Sequence, residues 1–329
     1  MARFILKRLI NIIPLIILIS MFSFFIIQLP PGDWVTTYAA QMEAIGATTS
    51  EDILEMLRER YGLGQPVYIQ YFKWIAGFPR GDFGNSMAYN NMPVADLIGE
   101  RLVLTFGISL ATLLISWGLA IPIGVYSATH KYSPMDYTLS FIALIGIAIP
   151  SFLLGLVLMF ISVFYFDASS VGGLFSQQYA EAPWSWAKFV DLLNHLPIPL
   201  IVIGLGGTAG TMRIMRGNLM DILDMQYIQT ARAKGLKEWV VVWKHAVRIA
   251  INPLISRLGM YLPELFSGTV IVSVVLNLPT IGPMFLRSLL GQDMYLAGAI
   301  LFFSSIILVF GNLIADIVLA LTDPRIRYE

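Results

Sequence analysis

The side chains able to do chemistry are few and scattered. His130, His195 and His245 are the three histidines and there is no cysteine. Thiolate metal sites, disulfides and a cysteine nucleophile are therefore excluded, and the histidine spacing forms no ligand motif. No HExxH, GxxxxGK[ST] or GxSxG run occurs, which removes the common zinc-protease, phosphate-loop and serine-hydrolase arrangements. Glu264 and Asp316 stand inside apolar runs. A carboxylate there is costly unless paired or wet, so Glu264 marks a translocation cavity, an interhelical contact or a position near enough to the inner interface to reach water. Nothing in the chain resembles an engine, so energy has to come from a partner or an ion gradient.

One segment offers a surface in place of a reactive group. Residues 224–254, DMQYIQTARAKGLKEWVVVWKHAVRIAINPL, are both basic and helix-forming. Asp221 or Asp224 can cap a short helix from Met225 to Lys234, and Gly235 can supply the left-handed residue that stops it. A second helix can then run from about Lys237 to Pro253. Ile228, Ala231 and the stem of Arg232 recur at helical spacing and form a narrow face on which another protein could sit closely. Arg232, Lys234, Lys237, Lys244 and Arg248 place the segment on the cytoplasmic side of a membrane protein. A solvated basic loop fits the same residues.

The elements that must position this segment are membrane spans. Of 329 residues, 57% are hydrophobic and 13% charged, which excludes an ordinary soluble domain and predicts an all-α polytopic membrane protein. Arg3, Lys7 and Arg8 precede an uncharged run over 9–32. At 1.5 Å per residue that run crosses roughly 30 Å of hydrocarbon, and its length and the Pro30-Pro31-Gly32-Asp33 end argue against a cleaved signal. Further spans are expected over 102–129, 137–166, 195–212, 258–278 and 296–321, giving six helices with both termini cytoplasmic. Pro150 and Ser151 interrupt the third, as a hinge, a pathway lining or a tolerated kink. Gly204, Gly206, Gly207 and Gly210 allow close helix approach in the fourth.

Acidic residues dominate 33–101, so this stretch is read as an extracytoplasmic loop domain. Ser50 is expected to cap a helix there and Gly62 to close it. Tyr71 and Trp74 suit an interfacial belt or a docking surface, and Trp74, Trp184 and Trp186 suit sugar stacking equally well. A surface helix is expected near 184–193. The chain thus divides into an N-terminal tail and first helix (1–32), the loop domain (33–101) and a core (102–329) that includes the loop 218–255 and a cytoplasmic tail, 322–329.

Tyr227-Ile-Gln-Thr-Ala-Arg-Ala-Lys-Gly-Leu, followed by His245-Ala-Val-Arg248 and Pro253, closely resembles the EAA loop of ABC importer permeases of the dipeptide and oligopeptide family. Pro31-Gly-Asp33, Tyr61-Gly-Leu63, Gly81-Asp-Phe-Gly-Asn-Ser86 and Ile149-Pro-Ser-Phe152 match that family in order, as do Arg213-Ile-Met-Arg216 and Asp323-Pro-Arg-Ile-Arg327. The resemblance implies a type I ABC importer permease fold with six transmembrane helices. It implies that Tyr227, Ile228, Gln229, Thr230, Ala231, Arg232 and Ala233 form a coupling helix docked on a cytoplasmic ATPase, with Lys234 and Gly235 at its stop. Gln229 stands where many relatives have Glu, and Ile249 where this family usually has Asn. Relatives carry an acidic residue where this chain has Ser273, so Pro150, Ser151, Glu264 and Ser273 are the candidates for pathway or hinge.

The implied partners are a second homologous permease, two ATP-binding cassette subunits that use ATP and Mg, an extracytoplasmic solute-binding protein and the lipid bilayer. No cofactor, metal or nucleic acid is expected on this chain itself, and it is not expected to be an enzyme. Peptides are the cargo the resemblance favours, with oligosaccharides or nickel as alternatives. An ion-coupled carrier would need paired intramembrane carboxylates and inverted halves, for which Glu264 and Asp316 are thin support. An intramembrane enzyme is remote.

Overall fold

A computed structural model describes residues 2–47, 49–166, 172–267 and 270–322. In chain order the helices are α1 (Ala2–Ile27), α2 (Trp34–Ala44), α3 (Glu51–Tyr61), α4 (Val67–Gly77), α5 (Val94–Thr129), α6 (Pro134–Ala148), α7 (Ser151–Phe166) and α8 (Trp186–His195). They continue as α9 (Pro197–Leu223), α10 (Gln226–Ala233), α11 (Glu238–Val240), α12 (Val247–Ala250), α13 (Asn252–Ser267), α14 (Val270–Val275), α15 (Ile281–Leu290) and α16 (Met294–Thr322). Among the described residues there is no strand, only an isolated bridge between Asn85 and Pro93.

The all-helical, multi-pass architecture matches the composition. Among the described residues four helices are long and apolar enough to cross a membrane: α1 over Ile10–Ile27, α5, α9, and α16 over Met294–Leu319. α6 and α7 make a fifth crossing only if taken together, because they meet at a bend of 101°. The interruption at Pro150 is thus a break in the helix and not a mild kink. The ring removes a backbone donor, and the preceding Ile149 is extended (φ −79°, ψ 123°), as a residue before proline tends to be. Within the expected span over 258–278, α13 continues to Ser267 and α14 covers Val270–Val275, and residues 268–269 lie outside the described residues. α9 is longer than its expected end at Met212, so Arg213 and Arg216 lie within the helix. The tail 323–329 is also outside the described residues.

The chain forms two compact units. One is Met1–Thr105 with Thr280–Val309, the other Phe106–Pro279 with Phe310–Glu329.

In the first unit, Asp33 and Thr36 close a capping box at the start of α2, each side chain bonding the other's backbone N–H at 2.8 Å. Ser50 occupies the N-cap position of α3 without a side-chain bond; Glu51 and Asp52 in the first turn complement the helix dipole instead. Gly62 ends α3 with φ +66°, as its position predicts. Tyr71 and Trp74 are buried with Phe24, Tyr61, Met87 and Met294. The Trp74 indole N–H donates to the Phe83 carbonyl at 3.1 Å, so this tryptophan is a core residue, available neither to sugars nor to a membrane surface. Asp293 is fully buried and accepts bonds from Ser86 Oγ (2.5 Å), the Ala88 N–H (2.9 Å) and the Leu296 N–H (3.1 Å). Burial pushes its carboxyl above the usual range, and these hydrogen bonds oppose that shift only in part. It ties the Gly-Asp-Phe-Gly-Asn-Ser loop to the start of α16.

In the second unit α9 is the axis. Ala120 of α5, Ala143 of α6, and Ala209 and Met212 of α9 form one small-residue core. A side chain at Gly124 would meet the Met212 carbonyl oxygen at 2.9 Å, and one at Gly146 would meet Leu205 at 3.2 Å, so these glycines set the helix spacing. Of the four glycines expected to do so on α9, Gly204 lies against Ser116 and Gly207 against the Tyr261 hydroxyl, while among the described residues nothing approaches Gly210.

Candidate functional site

α10 follows α9 after a two-residue turn, and its ends are fixed mostly by backbone. Met225 is the N-cap, and no side-chain cap is made; Asp221 and Asp224 are exposed and do not cap the helix. Its C-terminus is the glycine stop that the sequence predicts. Gly235 has φ +76°, its N–H donates to the Arg232 carbonyl (2.9 Å), and the Leu236 N–H donates to the Ala231 carbonyl (3.4 Å). That is a Schellman closure, which satisfies carbonyls the helix end would orphan.

Arg232 adds a side-chain clasp. Its Nε and Nη2 donate to Glu238 Oε2 (3.1 Å) and Oε1 (2.7 Å) across the turn, and Nη1 reaches the Leu223 carbonyl at 3.5 Å. Gln229 Nε2 donates to the same carbonyl at 3.4 Å. The last carbonyl of α9 therefore has two side-chain donors, both from α10. The Arg232 guanidinium holds the Glu238 carboxyl below its usual range.

The face expected to receive a partner points the other way. Ile228 has no exposed surface and Ala231 is also buried; both pack with Met215, Leu219 and Leu223 of α9 and with Val242, Ala246 and Ala250 beyond the turn. The physical reason is economy of apolar surface, since these are the large and small apolar side chains of an otherwise polar helix. Solvent meets Gln226, Gln229, Thr230, Ala233 and Lys234, with Tyr227 and Arg232 half-buried at the edges. Leu236 and Trp239, the latter 71% exposed, extend this outer surface past Gly235.

The second helix expected from Lys237 to Pro253 is composite. α11 passes into a π turn, Val241–Ala246, and then α12. α13 begins before Pro253, whose missing N–H is tolerated in a first turn. The wider turn still buries Val241, Val242 and Ala246 against α9 and α10. α9, α10 and this composite helix share one hydrophobic core, reinforced by Asn218 Nδ2 donating to the Ala250 carbonyl at 3.4 Å.

A second link anchors α9 higher up. Arg216 donates through Nε and Nη2 to the two oxygens of Asp136, both at 2.8 Å, and Asp136 also accepts the Tyr132 N–H at 3.0 Å. Neither Asp136 nor Glu238 stood out in the sequence. Each is one acidic residue among many until the fold sets it beside an arginine.

The pathway candidates are more dispersed. Pro150 and Ser151 are exposed at the bend between α6 and α7, and Ser273 is buried on α14. Glu264 lies on α13, and its side chain is outside the described residues. Within the second unit a cavity of about 220 Å³ is bordered by Trp117, Gly207, Thr211, Leu254, Arg257 and Tyr261. Pro150, Ser151 and Ser273 do not border it. Among the described residues no three His, Asp or Glu side chains are grouped to hold a metal ion.

The model of the family described as "Binding-protein-dependent transport system inner membrane component" matches residues 120–328. The model described as "Binding-prot-dependent transport system membrane comp, N-term" matches residues 1–110. The chain is 36% identical to the oligopeptide transport system permease protein AppB of Bacillus subtilis (strain 168), with 100% of both chains covered. It is 30% identical to the oligopeptide transport system permease protein OppB of Haemophilus influenzae, again over 100% of both. It is also 30% identical to the dipeptide transport system permease protein DppB of Lactococcus lactis subsp. cremoris, covering 99% of this chain and 100% of that one. With matches spanning both ends and the segment 224–254 between them, the chain belongs to the family of binding-protein-dependent transport system inner membrane components and is a multi-pass permease subunit of an ABC transporter.

Proposed function

We propose that this permease imports peptides and that α10, with the turn through Gly235, is the coupling helix that rests on an ATP-binding cassette subunit. The observation that carries the coupling role is the division of α10 into two faces. Ile228 and Ala231 are sunk into the core shared with α9, while Gln226, Gln229, Thr230 and Ala233 are presented outward. A push on the outer face is then delivered to α9 with little slack, because packed apolar interiors are stiff. The names of the relatives favour peptide cargo.

In this reading a second, homologous permease pairs with this one, and each rests on one of two ATPase subunits, which use ATP and Mg. Residues 33–101 face a solute-binding protein outside the cell, and both termini are cytoplasmic. Closure of the ATPases turns the pathway outward, which requires them to bind one permease conformation better than the other by several kcal/mol; equal affinity would shift nothing. Pro150 and Ser151, at the bend, and Glu264 and Ser273 remain the pathway or hinge positions of this proposal.

The absence of native cysteine makes the test direct. A single cysteine at Ala233 or Thr230, in complex isolated from native membranes, is expected to crosslink to an ATPase-sized partner with a yield that changes on adding ATP. Silence at both positions in transport-competent complex would overturn the coupling role. Cargo is tested separately, by whether a co-encoded solute-binding protein binds peptides in preference to oligosaccharides or nickel.

A further inference from the structure

α8 is amphipathic the wrong way round for a helix bathed in water. Its inward side carries the polar groups. Lys188 is 2% exposed, its Nζ donates to the Ala182 carbonyl at 2.6 Å, and it lies 4.8 Å from the Phe175 ring centroid and 5.3 Å from that of Trp184. Asp191 accepts from the Ser176 N–H (2.7 Å) and hydroxyl (2.5 Å), and His195 Nδ1 stands 3.8 Å from Asp191. The outward side carries Trp186, Phe189, Val190 and Leu193, all exposed, with Trp186 at 77%. Their spacing of three and four residues makes one continuous stripe. A lysine enclosed by aromatic rings while the stripe faces out is the arrangement expected where the surroundings are less polar than the loop beneath.

The chain path says what those surroundings are. α8 passes into the membrane-crossing α9 through the single residue Leu196. Pro197 and Pro199 then remove two backbone donors, so the helix bends at the point where the crossing starts. α7, the preceding apolar helix, ends in Phe164, Tyr165 and Phe166, all strongly exposed. The stripe thus leads through Leu196 directly into a helix whose surface lipid must cover. Aromatic side chains at such a level match the boundary between headgroups and acyl chains.

We infer that α8 is an interfacial helix: it lies in the membrane surface with Trp186, Phe189, Val190 and Leu193 inserted at the headgroup and acyl boundary. Amphipathic helices of this kind sit about 5–10 Å into that boundary. Lys188, Asp191 and His195 then serve to fasten the helix to its own loop, not to contact a ligand. The inference rests on the membrane-crossing role of α9 and is independent of which ATPase or cargo the permease serves.

The test again uses the cysteine-free chain. Cysteines placed singly at Phe189 and Leu193, and at Ala187 and Asn194 on the flank, are labelled with an environment-sensitive fluorophore. The labelled chain, with its co-purifying subunits, is reconstituted into nanodiscs made with or without phosphatidylcholine spin-labelled high on the acyl chain. Probes at Phe189 and Leu193 are expected to lose about half or more of their emission to the spin-labelled lipid and to resist aqueous iodide, as a probe seated at that depth must. The flank probes are expected to show the reverse. Strong iodide quenching at Phe189 and Leu193 would overturn the inference in favour of a solvent-facing helix. Protection from both quenchers would overturn it in favour of a protein partner over the stripe. Using two stripe positions guards against one label disturbing the fold.

Discussion

Arg216 and Asp136 face each other as a two-pronged ion pair, both hydrogen bonds 2.8 Å long, with the Asp136 side chain only 2% exposed. The pair fastens the first turn of α6 to α9 one stretch before α9 gives way to α10. It therefore holds the shaft that α10 would drive. Replacing Arg216 with Met strands a buried carboxylate and is expected to destabilise the permease by about 3 kcal/mol, the low end for a broken buried pair because Arg216 is partly exposed. Asp136→Asn should cost less, since the charge it leaves unpaired is on Arg216, which is partly exposed and can be hydrated. Thermal unfolding in detergent, with the double variant closing a mutant cycle, checks both. An additive cycle would reject the coupling of these two residues.

The anchoring of α10 can be separated from its docking. Ile228→Ala opens a cavity in the core shared with α9 and is expected to cost about 2–5 kcal/mol. Transport per ATP hydrolysed should fall with it, because the helix can shift in its seat. Thr230→Ala, on the exposed face, should leave unfolding unchanged. Ala231→Pro breaks the helix from within, costing about 3 kcal/mol, and is expected to uncouple ATP hydrolysis from transport without preventing insertion. Normal uptake by the proline variant would count against the role of α10.

The Arg232–Glu238 clasp predicts an acid sensitivity confined to the turn. Arg232 keeps the Glu238 carboxyl below its usual range, so the contribution is complete above the ordinary carboxylate pKa. It is lost as pH falls through the lowered value. Glu238 is 59% exposed at its side chain, and such pairs add little to global stability. Amide exchange over 233–238, corrected for intrinsic pH dependence, should accelerate in acid for the native chain. Glu238→Gln should exchange fast already at neutral pH and show no such transition.

Two glycines of α5 should respond oppositely to the same substitution. Gly124→Ala places a methyl against the Met212 backbone oxygen, which cannot move aside without displacing α9, whereas among the described residues nothing lies within 4 Å at Gly118. Gly118→Ala is expected to stabilise by up to about 1 kcal/mol through helix propensity. Gly124→Ala is expected to destabilise by about 1–3 kcal/mol through overpacking. Paired melting curves decide it, and equal shifts would show that the close approach at Gly124 is not maintained.

Much of the molecule was legible in the residues. Long apolar runs betray spans because hydrocarbon solvates nothing polar, so α1, α5, α9 and α16 follow from composition and length. The Gly235 stop was equally local, since its left-handed backbone is a property of that residue and its immediate neighbours. The resemblance of the segment from Tyr227 to Gly235 to a family motif was legible because that motif is contiguous. In contrast, the sequence misplaced the cap of α10, because a side chain that can cap is not obliged to when the backbone is otherwise satisfied.

What the sequence by itself determined was the class of molecule and the position of one short helix: an all-helical membrane permease with α10 and its Gly235 stop in a basic loop. Only the tertiary structure decided which way α10 faces, because helical periodicity puts Ile228 and Ala231 on one side without saying whether that side meets a partner or the chain's own α9. The same holds for Trp74, whose burial depends on Phe24 and Met294 arriving from distant parts of the chain. It holds for Asp136, Glu238 and Lys188 as well. Charge pairing and enclosure are set by distance in space, and residues 80 apart in sequence come within 2.8 Å only after the helices have packed.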